Sequence, residues 1–263
     1  MEVDYYKKLF QTIGNIIELI EKDDIPKYLL FLENAFPYMD NYNYHKGMKG
    51  IIQELKVLLK TKSIGTNSDR ALLLDFQATL ETKPEKAIKL EKDALAQIEN
   101  ITADNARLVS NLHANLGGLY RINGHPDLAR EHMEKSISLL DQFNLLHIND
   151  SIPQIANYAM FLTEQQEPER GISELQKLSG IIKEYHSDEC LDYAKVQETL
   201  GTIYLMTANL PQAKTHFKRA FKIYEKIWAD EPEMIEAKYQ EIQELYPQIG
   251  FCIGKNLSGL LTK

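Results

Sequence analysis

A chain of 263 residues with 44% hydrophobic and 26% charged residues has an ordinary soluble composition, which argues against a disordered or membrane-embedded class. Only 13 Gly and 9 Pro leave little room for the frequent turns of a β-protein, so a mostly helical chain is expected. A formal charge of −8, with no run of Lys and Arg, argues against a nucleic-acid-binding face.

The opening residues, MEVDYYKKLF, carry Glu2 and Asp4 where a secretory leader is basic and then apolar. No apolar run approaches the roughly 18 residues of a membrane span, and a cytoplasmic protein without a membrane role is expected. Next, YYKKLFQTIGNIIELI places Tyr6, Leu9, Ile13, Ile16, Ile17 and Ile20 on one helical stripe that ends at EKDDIP. Further helical patterns at 26–37 and 46–61 read as a degenerate repeat, and TKSIGTNSD is the expected joint.

Beyond that joint the chain repeats itself. ANLGGLYRINGHPDLAREHMEKSISLL lies over QETLGTIYLMTANLPQAKTHFKRAFKIY, with Leu116, Gly117, Tyr120, Ala129 and Ser136 above Leu200, Gly201, Tyr204, Ala213 and Ala220. The two stretches are 84 residues apart, and half that distance reveals two more units. In the third, Tyr158, Ala159, Leu162 and Gly171 take the matching places; in the first, Leu74, Ala78, Ala87 and Ala94 do so, although Asp75 breaks the pattern. Pro84, Pro126 and Pro168 keep the same 42-residue step, and Pro211 is displaced by one.

Each unit reads as helix, short turn, helix. The first helices are expected at 68–81, 110–123, 152–165 and 194–207, and longer second helices start at or near the prolines, where a first-turn proline loses no hydrogen bond. Gly117, Ala159 and Gly201 on first helices, and Ala87, Ala129, Gly171 and Ala213 on second helices, are small because paired antiparallel helices must approach closely. The expected division is therefore 1–67, four repeats over 68–235 (68–109, 110–151, 152–193 and 194–235), and 236–263. Helical pattern continues through 232–246, and QIGFCIGKNLSGLL follows Pro247. Stacked repeats need covered ends, so both flanks are expected to be caps; the other role open to the C-terminal segment is to lie in the groove or swap between chains, and a homodimer through the terminal helices stays open.

Chemistry is absent from the pattern. Cys190 and Cys252 lack a Cys-x-x-Cys or neighbouring His and read as reduced core thiols. The seven histidines, including His113, His125, His132 and His216, show no metal-ligand spacing, and there is no phosphate loop or nucleophile elbow. IGKNLSGL lacks the strand and spacing of a phosphate cradle. No metal, cofactor or enzymatic activity is expected.

Residues 68 to about 235 resemble tetratricopeptide repeats, on Leu116-Gly117, Tyr120, Ala129 and Ser136 and their counterparts. The 42-residue unit is similar to the longer-helix version of kinesin light chains and of several bacterial peptide-sensing regulators. Asp75, Gly171 and Glu91, which stands where a large apolar residue is usual, depart from that pattern. The resemblance implies an all-α, right-handed α-solenoid of helix-turn-helix repeats with helical caps, whose first helices line a concave groove for a peptide or helix of another protein. It places Asn115 and Asn157, 42 residues apart, on the inner face, where an Asn holds a ligand's main chain; bonds to helix carbonyls or water are the alternative. Leu73 and Thr199 hold the corresponding places in the outer repeats. Around them the groove is expected to show Leu72, Phe76, Gly118, Arg121, Met160, Glu164, Lys195, Glu198 and Thr202. An adaptor or scaffold is the first role implied, and the sensor half of a regulator the second. The absence of a basic helix or helix-turn-helix pattern in 1–67 favours the adaptor.

Overall fold

The computed structural model describes residues 45–61, 63–148 and 151–245, together with Ile25, Leu29 and Leu32. The stripe from Tyr6 to Ile20 and the stretch after Pro247, with Cys252, lie outside the described residues. Among those described, all regular structure is helical. The helices are α1 (His45–Thr61), α2 (Asn67–Thr79), α3 (Pro84–Leu95), α4 (Ala106–Ile122), α5 (Pro126–Gln142), α6 (Ser151–Glu164), α7 (Pro168–Tyr185), α8 (Leu191–Met206), α9 (Leu210–Ile227) and α10 (Pro232–Leu245). They fall in two compact units, Met1–Leu139 and Leu140–Lys263.

In the first unit α1 packs on α2, α2 on α3, and α3 on α4. The apolar stripe of α1, Met48, Ile51, Ile52, Leu55 and Leu59, meets Leu73, Phe76 and Leu80 in one buried cluster. The joint is a tight loop in which Ser63 (φ 49°) and Gly65 (φ 81°) adopt left-handed backbone. Thr66 then opens α2 through a capping box: the Asp69 N–H donates to Thr66 Oγ1 (3.1 Å) while the Thr66 N–H donates to Asp69 Oδ2 (2.5 Å). Further on, α4 and α5 are tied at Ser110 and Ser136, both buried, with Oγ atoms 3.1 Å apart.

In the second unit α6 pairs with α7 and α8 with α9, while α8 also contacts both α6 and α7 and α9 contacts α10. Helix α10 buries Ile235 and Ile242, and its Tyr239 meets the Phe221 ring edge-on at 6.2 Å.

The repeat is kept most strictly at its turns. Second helices start at residues 84, 126, 168 and 210, so the displaced Pro211 has moved from the first helical position to the second without a change of register. Gly124 (φ 75°), Gln166 (φ 65°) and Ala208 (φ 59°), again 42 apart, take the left-handed conformation that closes a helix. The next residue in each turn, His125, Glu167 or Asn209, donates its N–H back to the carbonyl of Tyr120, Leu162 or Tyr204 at 2.8–2.9 Å.

Three expectations change in detail. Helices α4 and α8 begin at Ala106 and Leu191 rather than at 110 and 194. Asn105 builds the lead-in to α4, accepting from the Thr102 N–H (2.8 Å) and donating to the Asn100 carbonyl (3.0 Å), and Cys190 Sγ caps α8 by accepting from the Tyr193 N–H (3.4 Å). Cys190 is thus a half-buried helix cap rather than a core thiol. Second helices are the longer partner only in the α6–α7 and α8–α9 pairs, with 14 against 18 and 16 against 18 residues; α3, with 12, is shorter than α2 with 13.

Small residues sit where helices touch. A Cβ added at Gly117 would lie 2.5 Å from Met133 Cγ and 3.3 Å from the Ala129 carbonyl oxygen, and one at Gly201 would lie 3.0 Å from the Phe217 ring. At Gly171 it would meet the Ala159 carbonyl oxygen at 2.6 Å. Each of these three pairs holds one Gly and one Ala: Gly117 with Ala129, Ala159 with Gly171, Gly201 with Ala213. The Gly at 171 therefore answers the Ala at 159.

Candidate functional site

The residues expected to line a groove separate into those turned toward solvent and those the fold already uses. In the first unit Phe76 is only 5% exposed, because α1 covers that face of α2, and Leu72 is half-buried against the same cluster. Phe76 is a core ring rather than a groove wall. The apolar spacing at 46–61 is the signal that a helix covers it.

Asn115 is exposed on α4, and its Nδ2 donates to Asp75 Oδ1 at 2.8 Å. Asp75 lies beside Glu91, and both are buried, Glu91 to 1% exposure. The two departures in the first repeat are thus one polar cluster, joined across α2, α3 and α4. Burial, and then the charge of Asp75, push the Glu91 carboxyl up to about 10, against the opposing bond from Asn115. Glu91 is therefore a neutral acid at neutral pH, able to donate to the Asp75 carboxylate. Its Oε2 has no hydrogen-bond partner among the described residues. Arg121 is half-buried on α4, and a Cβ built on Gly118 meets nothing within 4 Å, so the space before that residue is open.

In the second unit, Asn157, Met160 and Glu164 share one stripe of α6, and Lys195, Glu198 and Thr202 one stripe of α8, by their spacing of three and four. Asn157 is exposed and has no partner among the described residues. Met160 is half-buried and Glu164 exposed. Lys195 is exposed, with Nζ 3.8 Å from Asp192. Glu198 is engaged within the fold: Tyr224 donates its hydroxyl to Oε2 at 2.6 Å, and Lys238 Nζ lies 3.0 Å from Oε1. Burial and the charge of Glu198 hold the Tyr224 phenol above its ordinary range. Burial pulls the Lys238 ammonium down, but Glu198 and Glu241 outweigh it and leave it above the usual value. Thr202 spends its hydroxyl on the Glu198 carbonyl (3.1 Å).

A second polar arrangement recurs outside these stripes. His113 and His132, 19 residues apart, bring their Nδ1 atoms within 2.9 Å, so one donates and the other accepts. Tyr120 stacks on His132 with centroids 5.4 Å apart. The positions 84 residues later repeat the set: Gln197 Oε1 lies 2.9 Å from His216 Nδ1, and Tyr204 stacks on His216 at 5.2 Å. Burial, then the charges of His132 and Lys135, lower the His113 imidazole to about 4, and burial foremost lowers His132 and His216 as well. Spacing within one helix does not show this pairing; comparison at the 84-residue offset does.

Comparison with known proteins agrees with this architecture. Residues 151–226 match the tetratricopeptide repeat family model. No curated protein matches the chain. Among solved structures, BtubC (BKLC) from P. vanneervenii is 16% identical, with 90% of this chain and 92% of that one covered and a TM-score of 0.57. A P. anserina protein described as a putative kinesin light chain with nearly identical TPR-like repeats is 15% identical over 74% of this chain and 93% of its own, with a TM-score of 0.57. A single-substitution form of that protein is 14% identical over 80% and 99%, with a TM-score of 0.61. At these identities the likeness is one of fold, the all-α solenoid of tetratricopeptide repeats. Residues 151–226 are thus similar to tetratricopeptide repeats, and the chain shares the fold of these repeat structures.

Proposed function

We propose that the chain is a non-catalytic protein–protein interaction module, an adaptor or scaffold, that holds a peptide segment or helix of a partner along the first helices of the repeats at 68–235. Repeats of this family supply extended surfaces for such contacts. The observation that carries the reading is Asn157, an exposed carboxamide with no partner among the described residues, beside half-buried Met160 and exposed Glu164. A carboxamide donates and accepts at once, so it pairs with a main-chain amide whatever the ligand's side chains. The thioether of Met160 adapts to an apolar side chain, and Glu164 and Lys195 offer opposite charges for register. Asn115 has already given a donor to Asp75, so its part is first to hold the buried acid pair. The partner is a protein; the acidic balance of the chain disfavours nucleic acid. Among the described residues no helix is long and apolar enough to cross a membrane, and the proposed setting is the cytoplasm.

The test is a peptide library displayed on phage, selected on the full chain, with enriched peptides then measured by fluorescence polarisation. Asn157→Ala is expected to weaken binding about fivefold, the loss of one net hydrogen bond of about 1 kcal/mol, with an unchanged urea midpoint. Unchanged affinity in that variant would overturn the role of Asn157, and failure to enrich any peptide would overturn the module reading.

A further inference from the structure

A cavity of about 410 Å³ lies in the first unit, where its two apolar clusters meet. Leu59 and Leu73 belong to one cluster and Leu74 packs against the other, and all three line it. Three cations, Lys56, Lys60 and Arg70, stand around this apolar floor, and among the described residues no carboxylate lines it. In a chain of net charge −8 that is a local reversal of sign. Among the described residues none of the three cations is engaged by an ion pair: Lys56 Nζ donates to Gln77 Oε1 at 3.2 Å, and Arg70 donates to Asn67 Oδ1 (3.2 Å) and to the Ile64 carbonyl (3.4 Å). Those two bonds fix the guanidinium and leave further N–H groups unspent.

The wall is also set in advance. The loop from α1 to α2 turns on the left-handed Ser63 and Gly65, the Ile64 N–H returns to the Leu59 carbonyl (3.2 Å), and the Thr66–Asp69 box fixes the start of α2. A site built before its ligand arrives loses less ordering entropy on binding.

An apolar floor under an uncompensated positive rim selects an anion with an apolar tail. We propose that this cavity binds a small amphiphilic carboxylate, an aliphatic chain ending in one negative charge. The tail lies on Leu59, Leu73 and Leu74, and the carboxylate meets Arg70, whose fork accepts two oxygens, with Lys56 and Lys60 adding charge. The volume is at the lower end of the roughly 300–1,000 Å³ usual for small-ligand sites, which suits a free acid of medium chain length. This site is separate from the α6 and α8 stripes and does not depend on them.

Isothermal titration of the full chain with sodium hexanoate, octanoate and decanoate, and with 1-octanol, tests the assignment. The carboxylates should bind saturably at one site and tighten about fourfold per added methylene, with octanol much weaker than octanoate. Lys60→Glu reverses one exposed rim charge and should weaken octanoate about tenfold or more at an unchanged urea midpoint. Asn157→Ala should bind octanoate like the wild type, which separates this site from the peptide surface. Octanol binding as tightly as octanoate, a flat chain-length series, or an unaffected Lys60→Glu would each overturn the proposal. Displacement of octanoate by a glutamate-rich peptide would assign the rim to an acidic protein segment and overturn it too.

Discussion

Gly171→Ala would test the packing that shapes the repeat. The new Cβ would lie 2.6 Å from the Ala159 carbonyl oxygen and 3.2 Å from its carbonyl carbon and Cα, all backbone atoms of the facing helix. That carbonyl also accepts the Thr163 hydroxyl at 2.9 Å, so α6 cannot turn it away without losing a bond. Relief requires the two helices to part, and overpacking of this kind costs about 1–3 kcal/mol. Against it stands the propensity gain of Ala over Gly, at most about 1 kcal/mol and smaller in the first turn of α7. A net loss of about 0.5–2 kcal/mol follows from the difference of these two effects. Gly180→Ala is the control, because it lies in the same helix and its added Cβ meets nothing within 4 Å; it should gain about 0.5–1 kcal/mol. Because the second and fourth repeats carry Gly before Ala, Ala159→Gly with Gly171→Ala restores their arrangement and should recover part of the loss as a positive coupling. Urea unfolding followed by circular dichroism reads wild type and the four variants, Ala159→Gly alone included. A Gly171→Ala midpoint at or above wild type, or additive single effects, would refute the close approach of α6 and α7.

Glu91→Gln keeps an N–H donor for Asp75 and removes the ionisable group. With the folded carboxyl raised to about 10, the stability it contributes is full below the ordinary carboxylate range and is lost as pH rises toward 10. The variant should therefore exceed wild type in urea midpoint at pH 8–9, with the gap closing near pH 5; parallel profiles would show that Glu91 ionises normally. His113→Gln copies the Gln197–His216 arrangement into the second repeat. Since His113 is lowered to about 4, wild type should lose stability as pH falls from about 6.5 to 4, with a slope of up to about 1.4 kcal/mol per pH unit from this residue, and the variant should lose less. Thermal unfolding at pH 7.5 and 4.5 measures the difference, and equal losses would refute it.

The repeat frame is legible in the sequence because its signals are local and periodic. Prolines and small residues recur at or within one residue of a 42-residue step, the Leu–Tyr pair recurs at 84, and the turns of the second, third and fourth repeats share one hydrogen-bond solution. Phe76 escapes such a reading because its neighbour across the core is in another helix, outside the repeat, and periodicity shows that helix's stripe without showing what it covers. Asp75, Glu91 and Asn115 are each visible as oddities, yet their meeting depends on three helices at once. Helix starts also escape periodic reading, since Asn105 orders the loop before α4 while Cys190 caps α8, each by its own local bonds.

What varies between the repeats then follows from what the fold requires of each position. In the second, third and fourth repeats, where two backbones touch, volume decides, and Gly and Ala exchange between α6 and α7 while each of these three pairs keeps one of each. Where side chains bond across a pair, chemistry can change if shape and bonding persist: His113 gives way to Gln197 while His132 and His216 keep their tyrosine partners, Tyr120 and Tyr204. Asn157 obeys neither rule. It is exposed and completes no bond among the described residues, so the fold does not call for a carboxamide there. Asn115, at the equivalent place, is accounted for by Asp75. A residue type that the interior explains in one repeat and leaves unexplained in the next is the strongest local argument that the exposed α6 stripe serves a ligand.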